Sequence, residues 1–356
     1  MKNKKSNLSL LLALLIIGCE NTSSNIDSYI DPQIIFSSRR WWNYDIFIHD
    51  IYASRSTQLT KNQWIDFNPS ISSDSRKLLF VSDRDGNREI YSIELEWLDG
   101  YTQWRGKNLT NLTNSKENDW TPSFSPIENK IVFSTYFPKE DNYDIFIMSD
   151  DGTGKENLTN TNSYEKFPQF SKDGSFIIFQ GWNKGKMDIY FLSLLDKNRI
   201  NITKNPQSND IISHGNAFSN DGSSFVFTSE RDGNRNIYLA KINGSSLEKL
   251  TSSEYNDYEP TFSSDGHLIA FTSERDGNKE IYLLDVESRA IKNLTNNPGD
   301  DWNPRFYPDS KKIIFQSSRD GNWEIYSMKM NGDGQTNLTN HPSTDYSYIV
   351  LPLQNP

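Results

Sequence analysis

One short segment recurs seven times along this chain, and each copy contains a phenylalanine that ends an apolar run such as Leu78–Phe80 or Ile313–Phe315. Ten or twelve residues further on, an isoleucine is followed by phenylalanine or tyrosine, and each copy ends in Leu-Thr or Ile-Thr. Self-similarity at a fixed period of about 20–50 residues indicates a repeat architecture. The marker phenylalanines are separated by 44, 53, 46, 48, 44 and 44 residues and are Phe36, Phe80, Phe133, Phe179, Phe227, Phe271 and Phe315.

Each copy predicts four strands, which we call A to D. Strand A is a Pro-x-Phe-Ser segment, strand B ends in the marker phenylalanine, strand C contains the Ile-aromatic pair, and strand D ends in the final threonine. Asp-Gly pairs separate A from B, and Arg-Asp-Gly-Asn turns separate B from C, as tight hairpins require. Four-stranded units of this length are typical of β-propeller blades. The final threonines are predicted to be Thr60, Thr110, Thr159, Thr203, Thr251, Thr295 and Thr339.

The two ends of the repeat region predict how the ring closes. The first copy begins at strand B, Ile34–Phe36, with no strand A before it. The segment Asp345–Val350 aligns with the strand A segments that begin at Asp257 and Asp301. We therefore predict an all-β, seven-bladed β-propeller of four-stranded blades over residues 31–352, in which the C-terminal strand completes the first blade. Such closure removes the exposed sheet edges.

The first 18 residues have the composition of a signal peptide. Three of the first five residues are lysines, and they precede an apolar run at positions 8–17. That run is shorter than the about 20 residues that span a bilayer as a helix. It leads into Ile-Ile-Gly-Cys, which resembles a bacterial lipobox and ends at Cys19, the chain's only cysteine. We expect residues 1–18 to be a lipoprotein signal peptide and Cys19 to carry the lipid; an ordinary signal peptide with a coincidental cysteine is the alternative.

Residues 19–30 are polar and predict a lipidated cysteine followed by a short tether. Removal of the three leader lysines would take the net charge from −10 to −13. Because such a surface repels nucleic acid and anionic lipid headgroups, we expect no nucleic-acid partner and membrane attachment through the lipid alone. Glu20, rather than Asp, follows the cysteine. Resemblance to lipoprotein sorting signals then implies an exported protein at the outer membrane, facing the periplasm, or at the cell surface.

The consensus of the copies resembles a known repeat. Written as D-W/Y-x-P-x-F-S-x-D-G, I-x-F-x-S-x-R-D-G-N-x-E-I-Y and N-L-T, it is similar to the WD-repeat-like propeller repeat of TolB-type proteins over residues 31–352. The resemblance implies the fold. It implies less about function, because scaffolds, peptidase gating domains and lyases carry the same repeat. TolB itself has a separate N-terminal α/β domain and six blades, so its transport role is not carried over intact.

A carboxylate recurs at the head of strand A. Strand order places the D–A and B–C loops on one face of the ring, the first face, and the A–B and C–D loops on the second face. If strand A is innermost, the carboxylates could ring the tunnel mouth and bind a cation or a positively charged peptide. The alternative is that each pairs with the arginine of a nearby Arg-Asp-Gly-Asn turn. Copy five has Ser213 and His214 instead, and the candidate ring is Asp66, Asp119, Glu165, Asp257, Asp301 and Asp345.

Three copies lose Arg-Asp-Gly-Asn in the B–C loop and carry aromatic residues there. Several large aromatics on one loop face are typical of a patch that binds a protein or a glycan, although packing between blades is the alternative. A longer C–D connection in copy two, containing Trp97, Tyr101 and Trp104, predicts an extended hairpin on the second face with a possible binding role. The candidate binding face consists of Trp41, Trp42, Trp120, Tyr136, Phe137, Trp182 and Trp302.

Catalytic signatures are missing from the sequence. It contains neither a Gly-x-Ser-x-Gly elbow nor a His-Glu-x-x-His pair, and its four histidines do not predict a three-histidine metal site. We therefore expect no cofactor, no metal and no catalytic residues. The sequence predicts a non-enzymatic, lipid-anchored propeller that binds a protein partner, or a peptide or glycan. A polysaccharide lyase or hydrolase acting at the tunnel mouth is the alternative.

Overall fold

All regular elements in the described part of the chain are strands. The computed structural model describes residues 33–40, 42–51, 53–98, 103–183, 185–204, 209–213 and 217–351. The predicted signal peptide, Cys19 and the tether lie outside these residues, as do Trp41, Tyr101 and His214.

The strands follow one another along the chain with short connections. In chain order they are β1 (Ile34–Ser38), β2 (Asp45–Asp50), β3 (Arg55–Gln58), β4 (Asp66–Ile71), β5 (Lys77–Ser82), β6 (Glu89–Leu98), β7 (Gln103–Asn111), β8 (Asn118–Phe124), β9 (Lys130–Phe137), β10 (Asn142–Ser149), β11 (Glu156–Asn157), β12 (Glu165–Phe170), β13 (Phe176–Asn183), β14 (Lys186–Ser193), β15 (Arg199–Asn201), β16 (Asp210–Ile212), β17 (Ser224–Ser229), β18 (Asn236–Lys241), β19 (Leu247–Lys249), β20 (Asp257–Phe262), β21 (Leu268–Ser273), β22 (Glu280–Asp285), β23 (Ile291–Asn293), β24 (Asp301–Phe306), β25 (Lys312–Ser317), β26 (Glu324–Lys329), β27 (Thr336–Asn337) and β28 (Asp345–Val350).

These strands form seven antiparallel sheets of four strands each, the blades of a propeller. Blade 1 joins β28 to β1, β2 and β3, blade 2 is β4–β7, and blades 3 to 7 take the following sets of four in order. The A strands of six blades line a central cavity, and β4 contacts both β8 and β28. Strand A is therefore innermost. The predicted seven-bladed, all-β propeller is confirmed.

The C-terminal strand seals the ring as predicted. Strand β28 pairs antiparallel with β1, with Asp345 opposite Ser38 and Ile349 opposite Ile35. Tyr348 of β28 is only 1% exposed. Its hydroxyl donates a hydrogen bond to the carbonyl oxygen of Ile314 in blade 7 at 3.0 Å. The last strand thus completes blade 1 and also fastens it to its neighbour, leaving no free edge on β1.

The core is built from the marker phenylalanines, all of which are fully buried. Each marker ring lies beside the aromatic ring of strand C in its own blade, as in the Phe179–Tyr190 pair with centroids 5.6 Å apart. Neighbouring blades share apolar clusters; Ile281 of blade 6 packs with Ile313 and Phe315 of blade 7. Burial of these rings is therefore a large stabilising contribution in every blade.

Blade 2 corrects one sequence assignment and confirms another. The threonine that closes its strand D is Thr113 rather than Thr110, because the hydroxyl of Thr113 accepts the hydrogen bond of the Ile90 amide at 3.0 Å. Two consecutive Asn-Leu-Thr triplets made both choices compatible with the sequence. The longer connection of this copy is an extended hairpin, as predicted, with Trp97 opposite Trp104 in the register of β6 and β7.

Candidate binding face and central tunnel

The Arg-Asp-Gly-Asn turns lie beside the heads of the A strands, which places both on the first face. In blade 6 the aspartate of the turn, Asp276, accepts a hydrogen bond from the hydroxyl of Tyr282 on strand C. The asparagine, Asn278, donates to the carbonyl oxygens of Asn297 and Gly299, which precede strand A of blade 7. The turn therefore fixes its own blade and positions the loop that leads to the next one.

The carboxylates at the heads of the A strands are fully buried, and six of the seven are paired with a cation of their own blade. This arrangement is the alternative considered for the candidate ring. Use of the ring as a cation or peptide site stays a prediction. Within the described residues, no group of three His, Cys, Asp or Glu side chains could hold a metal ion. The pairs are Arg84–Asp66 (3.0 Å), Lys155–Asp119 (3.8 Å), Arg199–Glu165, Arg231–Asp210 (3.0 Å), Arg275–Asp257 (3.1 Å) and Arg319–Asp301 (2.8 Å).

Blade 5 keeps this carboxylate, contrary to the sequence assignment. The residue at the head of β16 is Asp210, and Ser213 and His214 come later. The sequence carried a signal for it, because Asp210 precedes Arg231 by 21 residues, close to the separation of 18 between Asp257 and Arg275. The chain around His214 is longer than in other copies and hid the alignment.

A cation also lies over the buried ring pair of every blade. Its charged group is 4.0–5.1 Å from the centroid of the strand C ring in all seven. Where the B–C turn lacks its arginine, the strand D side supplies the cation: Lys155 in blade 3 and Arg199 in blade 4. Such contacts stabilise a partly buried cation. The charge pattern of the repeat thus serves the scaffold in each blade.

Blade 1 departs from this pattern at the seam. Arg40 lies 4.3 Å from the centroid of the Phe47 ring. Although both residues are in the described part of the chain, no close ion pair joins Arg40 to Asp345, whose carboxylate oxygens are buried. Burial raises the pKa of Asp345 to about 6. Its carboxylate is therefore held less firmly than the equivalents in other blades.

Blades 3 and 4 bring aromatic residues of the first face together. Tyr136, Tyr143, Tyr164 and Trp182 follow one another with ring centroids 4.6, 5.8 and 6.2 Å apart. The ammonium group of Lys166 lies 3.7 Å from the centroid of the Tyr143 ring. We call these five residues the aromatic array. It forms because β9 and β13 run past the point where other blades make the Arg-Asp-Gly-Asn turn.

Hydrogen bonds hold the array in place. The hydroxyl of Tyr136 donates to a carboxylate oxygen of Asp141 at 3.0 Å. Hydrogen bonds from the hydroxyls of Tyr164 and Tyr136 lower the pKa of Asp141. The hydrogen bond between Tyr164 and Asp141 raises the pKa of Tyr164 to about 12. The rings therefore stay neutral, and their carboxylate partner stays charged, at physiological pH. Tyr136 and Trp182 belong to the binding face predicted from the sequence, whereas Tyr143, Tyr164 and Lys166 do not. The signal for the two tyrosines was their place directly before the acidic residues Asp144 and Glu165.

The remaining residues of the predicted binding face are dispersed. Trp42 is 91% exposed in the B–C loop of blade 1. Phe137 packs toward Phe146. The guanidinium of Arg88 lies over Trp120, with its carbon atom 3.8 Å from the centroid of the Trp120 ring. Trp302 lines the central cavity. Their role in binding stays a prediction.

The central cavity has a volume of about 600 Å³. Six of the described A strands contain a β-bulge. In each of them, the residue two positions after the carboxylate has a positive φ angle, in the left-handed region, and lines the cavity. The conformation is costly for residues other than glycine and is over-represented at functional sites. Its recurrence re-aims the following side chains toward the tunnel. The six residues are Asn68 (φ 51°), Thr121 (49°), Phe167 (57°), Glu259 (47°), Asn303 (56°) and Ser347 (42°).

Together these features define the chain as a seven-bladed propeller with a wide tunnel and an aromatic patch on one loop face. Residues 204–282 and 274–350 match the TolB beta propeller domain family. The resemblance to TolB-type propellers found in the sequence is thereby confirmed over residues 204–350.

Comparison with curated proteins gives a partial match. An uncharacterised protein from Agrobacterium fabrum (strain C58) is 30% identical over an alignment of 121 positions that covers 32% of this chain. The chain spans 38% of the length of that relative.

Solved structures share the fold across different activities. TolB from Acinetobacter baumannii has a TM-score of 0.56 at 17% identity, covering 90% of this chain and 67% of that chain. An oligogalacturonate lyase from Vibrio parahaemolyticus has a TM-score of 0.67 at 14% identity, covering 83% and 85%. A puromycin-hydrolysing peptidase from Mycobacterium tuberculosis has a TM-score of 0.68 at 13% identity, covering 87% and 53%. At these identities the likeness shows the fold alone.

The described residues contain no helix that is both long and apolar enough to cross a membrane.

Proposed function

We propose that this protein is a non-enzymatic, lipid-anchored binding module that holds a protein partner, or a peptide or glycan, against its first face. The observation that carries the proposal is the aromatic array of blades 3 and 4. It occurs where two adjacent blades replace the repeat's standard turn, and the other blades build no comparable row of rings within the described residues.

The array has the properties of a binding hot spot. Trp182 at its end is 43% exposed, and the three tyrosines are half-buried, so their rings are accessible yet held in place. Aromatic side chains on a rigid support lose little conformational entropy on binding. The ammonium group of Lys166 adds a charge on the same surface. Tryptophan and tyrosine are enriched among the few residues that supply most of the binding energy of an interface.

The partner face is tested by cross-linked pulldown from cells that make the protein. Trp182→Ala combined with Tyr143→Ala should reduce partner recovery by about tenfold or more, the loss expected from removing two hot-spot side chains. Leu195→Ala is the matched control, because Leu195 is 96% exposed in the C–D loop of the same blade and therefore lies on the second face. Equal recovery from the double variant and the control would remove the array from consideration.

The lipid anchor is proposed from the sequence of the first 19 residues, with residues 1–18 as signal peptide, 19–30 as tether and the propeller over 31–352. Labelling of cells with a palmitate analogue should modify the wild-type protein and leave Cys19→Ala unmodified. Fractionation of the same cells should place the wild type at the outer membrane and release the variant. Equal labelling of both proteins would contradict lipidation at Cys19.

An enzymatic role at the tunnel mouth is the second candidate, a polysaccharide lyase or hydrolase. It is favoured by the likeness to oligogalacturonate lyases, one of which was solved in complex with manganese. Incubation of the full-length protein with oligogalacturonate, with and without manganese, tests it. Formation of an unsaturated uronate, followed by its ultraviolet absorbance, would establish lyase activity and replace the non-enzymatic proposal; a reducing-end assay on the same samples detects hydrolysis.

A further inference from the structure

One side chain of the tunnel departs from the rest. At the position of strand A that pairs with the residue before the marker phenylalanine, blade 7 has Arg305, whose side chain lines the central cavity. In the other blades the equivalent residues, which pair with the residue before the marker phenylalanine, carry no charge. They are Ser70, Ser123, Gln169, Ala217, Thr261 and Ile349.

Arg305 is half-buried in the cavity wall and lacks a close anionic partner. Its Nε atom is buried without a hydrogen-bond partner. Within the described residues no carboxylate forms an ion pair with Arg305. By contrast, the cations at the heads of the A strands in six blades are each paired with a carboxylate. The Tyr348 ring lies 5.8 Å from its guanidinium carbon. A buried donor without an acceptor is destabilising, and more so when it is charged.

The surroundings of Arg305 are those of a ligand site. It lines both the cavity of about 600 Å³ and a second pocket of about 270 Å³ between blades 6, 7 and 1. Trp302 and Tyr346 line the same central cavity toward the first face. A volume of several hundred Å³ is typical of small-ligand and peptide sites. The planar guanidinium matches a carboxylate with two parallel hydrogen bonds.

We propose that Arg305 binds the carboxylate of an acidic side chain in a peptide that enters the central tunnel. The cavity also holds Glu259, whose carboxylate accepts a hydrogen bond from Ser213 at 3.1 Å and is close enough to raise the pKa of Arg305, against the larger lowering by burial. A ligand with one carboxylate avoids that negative charge. An oligouronate, which has a carboxylate on every sugar, would bring a second one toward it. The tunnel therefore favours a peptide with a single acidic residue.

This subsite goes beyond the proposed partner face, because Arg305 is in blade 7 and the aromatic array is in blades 3 and 4. Its test is separate for that reason. The probes are capped hexapeptide libraries with one fixed position, Glu or Gln, and the remaining positions randomised without Asp or Glu, together with trigalacturonate. Each is titrated into the full-length protein by calorimetry.

The wild type should bind the Glu library about tenfold to a hundredfold more tightly than the Gln library, the range expected for charge-assisted hydrogen bonds. Arg305→Ser introduces the residue found at this register in blades 2 and 3 and should abolish the preference. Arg305→Lys keeps the charge without the planar fork and should retain only part of it. Arg289→Ser, at an exposed arginine of the second face, is the control and should behave as wild type. Circular dichroism confirms that each variant is folded.

Equal binding of the two libraries, or binding of neither, would overturn the proposal, as would a preference that survives Arg305→Ser. Tighter binding of trigalacturonate than of the Glu library would overturn the peptide assignment and make the ligand a uronate. None of these results depends on Trp182, so failure here leaves the partner face to its own test.

Discussion

Replacement of Arg199 by methionine measures what the cation over each ring pair contributes to a blade. Arg199 lies 4.0 Å from the centroid of the Tyr190 ring and pairs with Glu165, whose side chain is fully buried. Methionine keeps much of the apolar contact with the ring but removes the charge. Glu165 would retain the hydrogen bond from the Thr161 hydroxyl at 3.0 Å and lose its ion pair with Arg199.

The expected loss follows from the burial of the two partners. Breaking a buried ion pair by removing one partner costs about 3–5 kcal/mol. The Arg199 side chain is 24% exposed, so solvent screens part of the charge, and we expect a decrease of about 2–4 kcal/mol in the free energy of unfolding at pH 7.5. Urea unfolding followed by tryptophan fluorescence measures it. Arg289→Met, which removes an exposed pair with Glu248, should cost less than about 0.5 kcal/mol.

The loss should depend on pH with a defined sign. Burial raises the pKa of Glu165 even in the wild type, and removal of Arg199 raises it further. The unfolded chain releases this proton near the ordinary pKa of about 4.3, so stability falls as pH rises from that value through the folded pKa. The difference between variant and wild type should therefore be small near pH 4.5 and grow toward pH 7.5. A difference that is constant across this range, or no larger than that of Arg289→Met, would refute the proposed role of the cation.

Three further substitutions test the seam and the repeat assignment. Asp345→Asn should stabilise the protein by about 1–2 kcal/mol at pH 7.5 and by less near pH 5. The reason is that the pKa of Asp345 in the folded protein, about 6, exceeds the ordinary value, so folding disfavours the charged carboxylate. Urea titrations at both pH values measure the difference. Thr113→Val should cost about 1–2 kcal/mol in the same assay, because its hydroxyl accepts the Ile90 amide, whereas Thr110→Val should cost less than about 0.5; the reverse order would restore the original alignment. Tyr348→Phe should lower the thermal midpoint by several degrees through about 1–2 kcal/mol of lost hydrogen bonding, while Tyr346→Phe, 38% exposed, should leave it unchanged.

The fold was predictable because the same pattern occurs seven times in the sequence. The apolar marker residues and the Asp-Gly turns determine local strands and hairpins, and the marker residues recur in every blade. The closing strand was also predictable, since the missing strand A of copy one and the extra strand at Asp345 are complementary. Thr113 was not, because two Asn-Leu-Thr triplets satisfy the same local pattern and only the hydrogen bond from Ile90 selects between them.

The site was harder to predict, because it depends on which residues of different copies meet. Tyr143 and Tyr164 are 21 residues apart in the sequence and adjacent in space through the packing of blade 3 against blade 4. The supply of a cation by Arg199 from strand D likewise has no local signal. Arg305 had one, since it replaces an uncharged residue of the Pro-x-Phe segment, but only the cavity shows what it faces.

We propose that the partner binds to the first face at the aromatic array. The most direct measurement places a photo-cross-linking amino acid at position 182 or at position 195 of the full-length protein in cells. These positions belong to the same blade and lie on opposite faces. We predict a discrete cross-linked product from position 182 and none from position 195. A product from position 195 alone, or equal products from both, would contradict the account.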